Sequence, residues 1–193
     1  FKILVKGKDK AGDFYRKNFS AMFAYCSNRV PEITEEFYKI DDAMKAGFGW
    51  ENGPFEIWDA IGVEKGIELM KAEGYQPASW VTDMVASGNT SFYSIKDGAT
   101  HFYSITNKKV EKVPGQDAFI ILNNIRESKK IWNNSDSIIT DLGDGIINLE
   151  FTSKMNSIGA GVLQGINKAI DIAEKDYNGL VIGNQGANFS VGA

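Results

Sequence analysis

Apolar side chains recur every three or four positions through the first part of the chain, which is the repeat of helices that bury one face. Glycines and prolines interrupt this repeat and mark where one helix ends and the next begins. The pattern predicts five short helices. We place them at residues 12–30, ended by Pro31; through Ile33, Phe37, Ile40 and Met44, capped by Gly47; from Pro54 to about Ile61, closed by Gly62; through Val63, Ile67 and Met70, closed by Gly74; and through Trp80, Val81, Met84 and Val85, closed by Gly88.

The stretch at residues 41–63, DDAMKAGFGWENGPFEIWDAIGV, joins the second of these helices to the third. Glycines interleaved with Phe48 and Trp50 break the helical repeat, and Pro54 suits the first position of a new helix. The aromatic side chains are a large apolar load for so short a stretch. We therefore interpret this stretch as a packed helix–turn–helix corner.

A change from helical to strand patterning follows. SFYSI and THFYSI flank KDGA, which is typical of a β-hairpin with an Asp-Gly turn. The charged segment NKKVEKVPG ends at Pro114-Gly115 and is our candidate for a linker. Residues 117–132 have two interpretations, because FIIL suits a strand whereas the spacing of Ile121, Ile125 and Trp132 suits a helix. We favour the helix.

The pattern of the last part of the chain is β-α-β. ITDLGDG is predicted to be a turn leading into the strand IINLEF, TSKMNSI a loop, residues 159–175 a helix, and LVIG a buried strand. One β-α-β unit cannot close a core by itself, and its strands would have bare edges. We therefore expect this C-terminal domain to be incomplete.

Together these patterns predict an α+β protein, with a mainly helical N-terminal domain that carries a β-hairpin and an incomplete β-α-β domain after it. We place the helical domain at residues 1–115, a connector at 116–137 and the β-α-β domain at 138–193. The chain starts at Phe1 rather than at a methionine, and NQGANFSVGA ends it on small residues directly after a strand pattern. We expect the sequence to be an interior piece of a longer polypeptide.

Composition narrows the function classes. The net charge of −4 and the pI near 5.1 argue against nucleic acid or an anionic membrane as a partner. Apolar runs are shorter than the roughly 20 residues of a membrane-spanning helix, so we expect no membrane span. The single cysteine, Cys26, excludes an internal disulfide and a cysteine-cluster metal site. With no sign of an oxidising compartment, a cytoplasmic location is the default expectation.

Candidate chemistry from single residues is weak. His101 is the only histidine, so a catalytic triad or a histidine metal site would rest on one residue, and we interpret it as an ordinary strand residue. DLGDG has too few oxygen ligands for a calcium loop. GAGVLQG, residues 159–165, has Gln164 where a dinucleotide fingerprint needs its third glycine. We therefore predict neither a metal site nor an NAD site in the chain.

The glycines at positions 183, 186 and 192 are a more suggestive feature, because they permit tight turns after the last strand. Backbone N–H groups exposed at such a turn could polarise a carbonyl, as an oxyanion hole does. From spacing alone, a plain turn remains the alternative.

Two stretches resemble known families. Residues 41–63, with the GFGW turn, GPF and WDAIGV, resemble the C-terminal domain of 3-hydroxyacyl-CoA dehydrogenases. Residues 141–193 resemble the opening of a crotonase (enoyl-CoA hydratase/isomerase) domain, which has a strand, a loop with a Met-Asn-like pair, a helix, a second strand and an F-x-x-G-A turn. The order of the two, with WVTDMVASGNTSFYSI between them, resembles fused bacterial fatty acid β-oxidation enzymes.

The resemblance implies roles for residues near the C-terminus. The loop formed by Lys154, Met155, Asn156 and Ser157, together with Val191, would lie along the adenine of CoA. The backbone N–H of Ala193 would be the first oxyanion-hole donor for the thioester carbonyl. NAD would bind to a part of the parent protein outside this chain, and no residue here is assigned to a cofactor or a metal.

On this resemblance, the parent oxidises 3-hydroxyacyl-CoA with NAD and hydrates enoyl-CoA, and its substrates are acyl-CoA thioesters. The chain alone would be inactive, with the remainder of the parent polypeptide and a possible second copy as its partners. The alternative is a non-enzymatic interaction or scaffold module that pairs through its C-terminal β-α-β unit. The reading frame beyond Ala193 would discriminate between the two.

Overall fold

The computed structural model describes residues 1–186 and 188–193, which form two compact units. The first unit comprises Phe1–Lys96 and Thr100–Val113, and the second comprises Asp97–Ala99 and Pro114–Ala193. The first unit is mainly helical, and the second is built on a four-stranded sheet. This architecture agrees with the predicted α+β class. The limits of the connector, 116–137, stay a prediction.

The helices of the first unit are joined by short connections and are followed by a small sheet. Their bounds are α1 Lys2–Lys6, α2 Lys10–Ile33, α3 Tyr38–Phe48, α4 Pro54–Ile61, α5 Val63–Ala72 and α6 Ser79–Ala86, and the strands are β1 Tyr93–Lys96, β2 Ala99–Ser104 and β3 Lys109–Lys112. The predicted ends of α4, α5 and α6 are confirmed, because Gly62, Gly74 and Gly88 lie one or two residues after these ends with φ of 107°, 82° and 89°.

The prediction that Pro31 ends the first long helix is wrong. Helix α2 continues through Pro31 to Ile33. Proline lacks the N–H that would bond to the carbonyl of Ser27, four residues earlier. The indole Nε1 of Trp80 donates to that carbonyl instead, at 2.9 Å, so no buried acceptor is lost.

The next helix also differs from the prediction. It starts only at Tyr38, so Ile33 lies outside it and is 66% exposed. Gly47 is not its cap, because α3 continues to Phe48 and Gly49 takes the left-handed conformation that closes it, with φ of 67°.

The corner at residues 41–63 is only partly packed. Phe55 and Trp58 are fully buried, and the ring of Trp58 stacks on Phe23 with centroids 4.8 Å apart. Phe48 and Trp50 were also predicted to pack, but their exposed fractions are 75% and 38%. The buried aromatic side chains of the corner therefore lie in α4, whereas the GFGW turn is exposed to solvent.

The sheet of the first unit has the order β1-β2-β3. The predicted hairpin is confirmed, with Asp97 and Gly98 at positive φ as a type I′ turn requires. The first part of the predicted linker NKKVEKVPG is a strand instead, because Lys109–Lys112 forms β3 and places Val110 opposite Tyr103. Its end at Pro114-Gly115 coincides with the division between the two units. A short, charged strand at a sheet edge is a common protection against aggregation.

The second unit contains one antiparallel meander and one parallel crossover. Its strands are β4 Lys130–Asn133, β5 Ser137–Gly143, β6 Ile146–Phe151 and β7 Gly179–Ile182; its helices are α7 Leu122–Ile125 and α8 Ala160–Asp176, with 3-10 turns at Gln116–Ala118 and Lys154–Asn156. The sheet order is β4-β5-β6-β7, and only β6 and β7 are parallel. The predicted β6–α8–β7 unit is confirmed to within about one residue at each end.

Three predictions for this unit are wrong. Residues 117–132 do not form one helix, because only Leu122–Ile125 is α-helical and Trp132 lies in β4 opposite Ile139. ITDLGDG is not a turn throughout, because β5 runs to Gly143 and only residues 144–145 turn the chain. Strand β7 is not buried, because it is a sheet edge and Val181 is 45% exposed.

The two faces of this sheet differ in chemistry. Side chains on one strand alternate between faces. Ile147, Leu149 and Phe151 of β6 pack with Val162 and Ala169 of α8 in the core. On the other face lies a buried polar layer of Thr140, Asn148 and Glu150, each at most 2% exposed. Among residues 1–186 and 188–193, no helix is both long enough and apolar enough to cross a membrane.

Candidate functional site

The loop at residues 154–157, which the resemblance assigns to CoA binding, begins three residues after the end of β6. It is closed on itself, because the Ser153 hydroxyl donates to the carbonyl of Ser157 at 2.7 Å and the Ser157 N–H to the carbonyl of Lys154 at 3.2 Å. Met155 and Asn156 both have positive φ, at 58° and 55°. Lys154 and Met155 are exposed, so this tight loop presents side chains to solvent.

The structure brings this loop next to residues 188–192. The N–H of Ile158 donates to the carbonyl of Gly192 at 2.8 Å, and the Asn156 amide donates to the carbonyl of Asn188 at 3.0 Å. Val191 is half-exposed, and Ala193 is exposed. The predicted site residues therefore share one surface of the second unit, while their roles towards CoA stay predictions.

Asparagine side chains that the sequence reasoning missed hold this surface together. Asn184 accepts from the N–H of Phe151 and donates to the carbonyl of Phe189, both at 2.7 Å. Asn148 donates to the carbonyl of Gly183 at 3.2 Å. A signal was available, because Asn148 is a polar residue inside an apolar strand and Asn184 follows the carboxyl end of a parallel strand, where α/β sheets place ligands.

A polar cleft of about 240 Å³ lies beside the loop. Its lining residues are Arg126, Glu150, Phe151, Thr152, Ser153, Asn156, Asn184, Gln185 and Gly186. The guanidinium of Arg126 holds the buried Glu150 carboxylate through two hydrogen bonds, Nε to Oε2 at 2.8 Å and Nη2 to Oε1 at 2.6 Å. This contact raises the pKa of Arg126, and it compensates the charge of Glu150 inside the unit.

A groove of about 520 Å³ lies in the first unit, between α2 and the connection from α5 to α6. It is lined by Ala21, Ala24, Tyr25, Asn28, Arg29, Tyr75 and Gln76. Asn28 is fixed in it, because its amide donates to the carbonyls of Ala24 at 2.8 Å and Gln76 at 3.3 Å. An apolar groove with a few fixed polar groups is the usual form of a small-molecule site.

A buried carboxylate, Asp41, and a half-buried one, Asp59, have structural roles in the first unit. Asp41 accepts from the N–H groups of Phe55 and Glu56 at 2.9 and 3.1 Å, and from the Tyr93 hydroxyl at 2.7 Å. Burial raises the pKa of Asp41 to about 7, although these donors act in the opposite direction. Asp59 likewise accepts backbone N–H groups at the start of β1, and burial raises its pKa.

The remaining sequence candidates have ordinary structural surroundings. His101 lies in β2 opposite Lys112. Asp141 accepts from the N–H of Gly143 at 2.7 Å, as a residue of a β-bulge. Burial raises the pKa of the Cys26 thiol to about 11, so it is protonated at neutral pH. Over the part of the chain that the structure describes, no cluster of three or more potential metal-binding side chains occurs.

The glycines of GAGVLQG serve close packing. A Cβ atom at position 161 would lie 2.1 Å from Oδ2 of Asp136, and one at position 165 would lie 2.2 Å from Oγ of Ser137. These positions let α8 approach the start of β5. Close packing of α8 therefore accounts for Gly161 and Gly165.

Comparison with known proteins identifies part of the chain. Residues 16–99 match the family model described as 3-hydroxyacyl-CoA dehydrogenase, C-terminal domain. All 193 residues align, at 41% identity, with 24% of a Bacillus subtilis protein provisionally named 3-hydroxyacyl-CoA dehydrogenase.

Two further relatives come from Rickettsia. The protein of Rickettsia felis is 25% identical over 94% of the chain and 22% of its own length, and that of Rickettsia prowazekii is 26% identical over 98% and 23%. Both are provisionally named fatty acid oxidation complex trifunctional enzyme. The chain thus spans about a quarter of the length of the curated relatives it matches. Residues 16–99 are thus similar to the C-terminal domain of the 3-hydroxyacyl-CoA dehydrogenases.

Proposed function

We propose that the chain is part of a fatty acid β-oxidation enzyme that oxidises 3-hydroxyacyl-CoA with NAD and hydrates enoyl-CoA. One observation carries this proposal. The match to the dehydrogenase C-terminal domain is followed, without a break, by an alignment of the second unit with relatives named for 3-hydroxyacyl-CoA oxidation and fatty acid oxidation. We assign no residue of this chain to NAD and propose that another part of the parent protein binds it.

In the dehydrogenase half, the groove at Tyr25 and Asn28 is the proposed contact for the acyl-CoA substrate. Its apolar walls suit an acyl chain, and Asn28 is a fixed polar group among them. An amide that is held by two backbone carbonyls is positioned in advance, so its contact with a ligand costs little conformational entropy.

Replacing Asn28 by alanine should therefore raise KM for acetoacetyl-CoA about tenfold in the full-length enzyme, by removing a substrate contact. Asn18→Ala is the matched control, because Asn18 makes the same kind of bond on the same helix, to the carbonyl of Phe14 at 2.9 Å, but at an exposed position. Steady-state oxidation of NADH measures both variants. Equal KM values for the two variants would show that the groove does not contact the substrate.

In the hydratase half, the loop of Lys154, Met155, Asn156 and Ser157 and the residue Val191 are proposed to contact the CoA adenine. The backbone N–H of Ala193 is proposed to donate to the thioester oxygen. Hydration adds the hydroxyl of water to Cβ and a proton to Cα of the enoyl group, and negative charge develops on the thioester oxygen in between. A fixed N–H donor stabilises that charge. The adjacency of loop and turn through Ile158 and Gly192 supports this assignment.

The test compares the full-length parent with residues 1–193 alone. The parent should reduce acetoacetyl-CoA with NADH and hydrate crotonyl-CoA, and the isolated chain should do neither. Turnover of either substrate by the isolated chain would show that its sites are complete, against the proposal. Absence of both activities from the parent would overturn the proposal itself.

A non-enzymatic interaction module is the second candidate, and the exposed edge of the second sheet favours it. Val181 and Ile182 of β7 are 45% and 39% exposed, and an edge strand can pair with another chain. Light scattering of residues 1–193 at high concentration would detect such association. A full-length protein that associates but turns over no acyl-CoA would favour the module.

A further inference from the structure

We infer that Asn184 is a positioning residue that sets the backbone of residues 188–193 for the thioester of the substrate. The inference rests on the proposed hydratase function, and it concerns a side chain to which that proposal gives no role. Asn184 stands just beyond β7, at the carboxyl end of the parallel strand pair β6–β7.

The side chain of Asn184 connects two stretches of backbone. Its Oδ1 accepts from the N–H of Phe151, the last residue of β6, and its Nδ2 donates to the carbonyl of Phe189. The ring of Phe189 in turn packs on the ring of Phe151, with centroids 5.7 Å apart. Phe189 is therefore held to the end of β6 by a hydrogen-bonded bridge and by an aromatic contact.

A primary amide satisfies both partners. The N–H of Phe151 needs an acceptor and the carbonyl of Phe189 needs a donor, and the two faces of an asparagine amide supply one each. An aspartate would keep the acceptor but would place a second oxygen against the carbonyl of Phe189. An alanine would remove both bonds.

The two hydrogen bonds of Asn184 affect the proposed site through the short segment that follows Phe189. Downstream of Phe189, the carbonyl of Gly192 accepts from the N–H of Ile158. Residues 189–192 are thus held at one end by Asn184 and at the other by the loop that carries the proposed CoA contacts. The N–H of Ala193 follows immediately. Catalytic donors must be held within about 0.5 Å of their working position, so loss of one anchor should misplace this donor.

The experiment uses the full-length protein with Asn184→Ala and Asn184→Asp, and Asn133→Ala as the control. Asn133 is an exposed asparagine of β4, and its amide donates to the neighbouring carbonyl of Asn134 at 3.4 Å. Hydration of crotonyl-CoA, NADH-dependent reduction of acetoacetyl-CoA and Tm are measured on the same preparations.

We expect kcat for hydration to fall about 10- to 100-fold in both Asn184 variants, with KM changed less than about threefold, because an oxyanion donor acts mainly in the transition state. Reduction of acetoacetyl-CoA and Tm should stay at wild-type values, as should all readouts of Asn133→Ala. Asn184→Asp keeps the hydrogen bond to the N–H of Phe151. It therefore tests the inference by itself if the alanine variant does not fold.

Two results would overturn the inference alone. One is wild-type hydration kinetics in both variants, and the other is a parallel loss of both activities together with a lowered Tm, which marks a merely structural residue. A wild-type parent that reduces acetoacetyl-CoA but never hydrates crotonyl-CoA would instead overturn the proposed hydratase function, and the inference with it.

Discussion

Asp41 is a buried carboxyl group that joins three segments of the first unit. It lies in α3, accepts the free N–H groups at the start of α4 and accepts the hydroxyl of Tyr93 in β1. A side-chain acceptor at a helix N-terminus satisfies donors that have no partner within the helix. Asp41 therefore fixes where the helix after the GFGW turn begins, which is why that turn is defined although Phe48 and Trp50 face solvent.

The raised pKa of Asp41 makes stability depend on pH. In the folded state the pKa is about 7, against an ordinary value of 3.8, so the folded state retains a proton that the unfolded state releases in this range. Stability should therefore rise as pH falls from about 7 towards 4 and decline as pH rises to 7. The raised pKa of Asp59 acts in the same direction.

The free energy of unfolding should change less steeply with pH in Asp41→Asn than in the wild type. The difference in slope is at most about 1.4 kcal/mol per pH unit, because one titrating group is removed. Asp42→Asn is the matched control, since Asp42 is an exposed neighbour paired with Lys45 at 3.3 Å. Urea unfolding at pH 5.5 and 7.5 measures the slopes. Identical slopes for wild type and Asp41→Asn would show that Asp41 does not titrate there.

Gly66 is required by the packing of Trp58. A Cβ atom at position 66 would lie 2.0 Å from Nε1 of Trp58, whose N–H donates to the carbonyl of Val63 at 3.0 Å. Gly66→Ala should destabilise the first unit by about 3 kcal/mol, as overpacking of a filled core does. Gly47→Ala should instead stabilise α3 by about 0.5 kcal/mol, because nothing lies within 4 Å of its added Cβ. Thermal unfolding separates the two variants, and a Gly66→Ala protein as stable as wild type would contradict this packing.

At the scale of elements, the pair Arg126–Glu150 connects the end of α7 to β6. Arg126→Ala should cost about 3 kcal/mol, because it leaves the buried Glu150 without its partner. The double variant Arg126→Ala with Glu150→Gln should recover part of that loss. Lys130→Ala, which breaks an exposed pair with Glu127, is the control and should cost less than about 0.5 kcal/mol. Chemical denaturation gives these differences, and equal losses for Arg126→Ala and Lys130→Ala would be inconsistent with a buried pair.

Elements with strong local signals were predictable. Helices α4 to α6 end at glycines with positive φ, and the hairpin at Asp97-Gly98 has the residues that its turn type requires. Elements that depend on distant partners were not. Helix α2 passes Pro31 because Trp80, far along the chain, satisfies the orphaned carbonyl, and Trp132 is in a strand because β5 pairs with it.

At the scale of the whole molecule, the two units have separate cores made of different kinds of residues. The first is dominated by aromatic side chains such as Phe37, Phe55 and Trp58, and the second by aliphatic ones such as Ile139 and Leu149. The sequence indicated a loop around 154–157 and a turn near Val191 by local patterns, and the resemblance to a crotonase domain alone gave them candidate roles. It did not reveal Asn184 or the Arg126–Glu150 pair, because each acts between segments that are distant in sequence.

In the function that we propose, this chain joins a dehydrogenase domain to the start of a hydratase domain in one enzyme. The most direct measurement is the formation of NADH when the full-length protein is given only crotonyl-CoA and NAD, because this requires hydration followed by oxidation. We predict steady formation of NADH and of acetoacetyl-CoA in equal amounts. A protein that readily oxidises 3-hydroxybutyryl-CoA but forms no NADH from crotonyl-CoA would contradict this proposal.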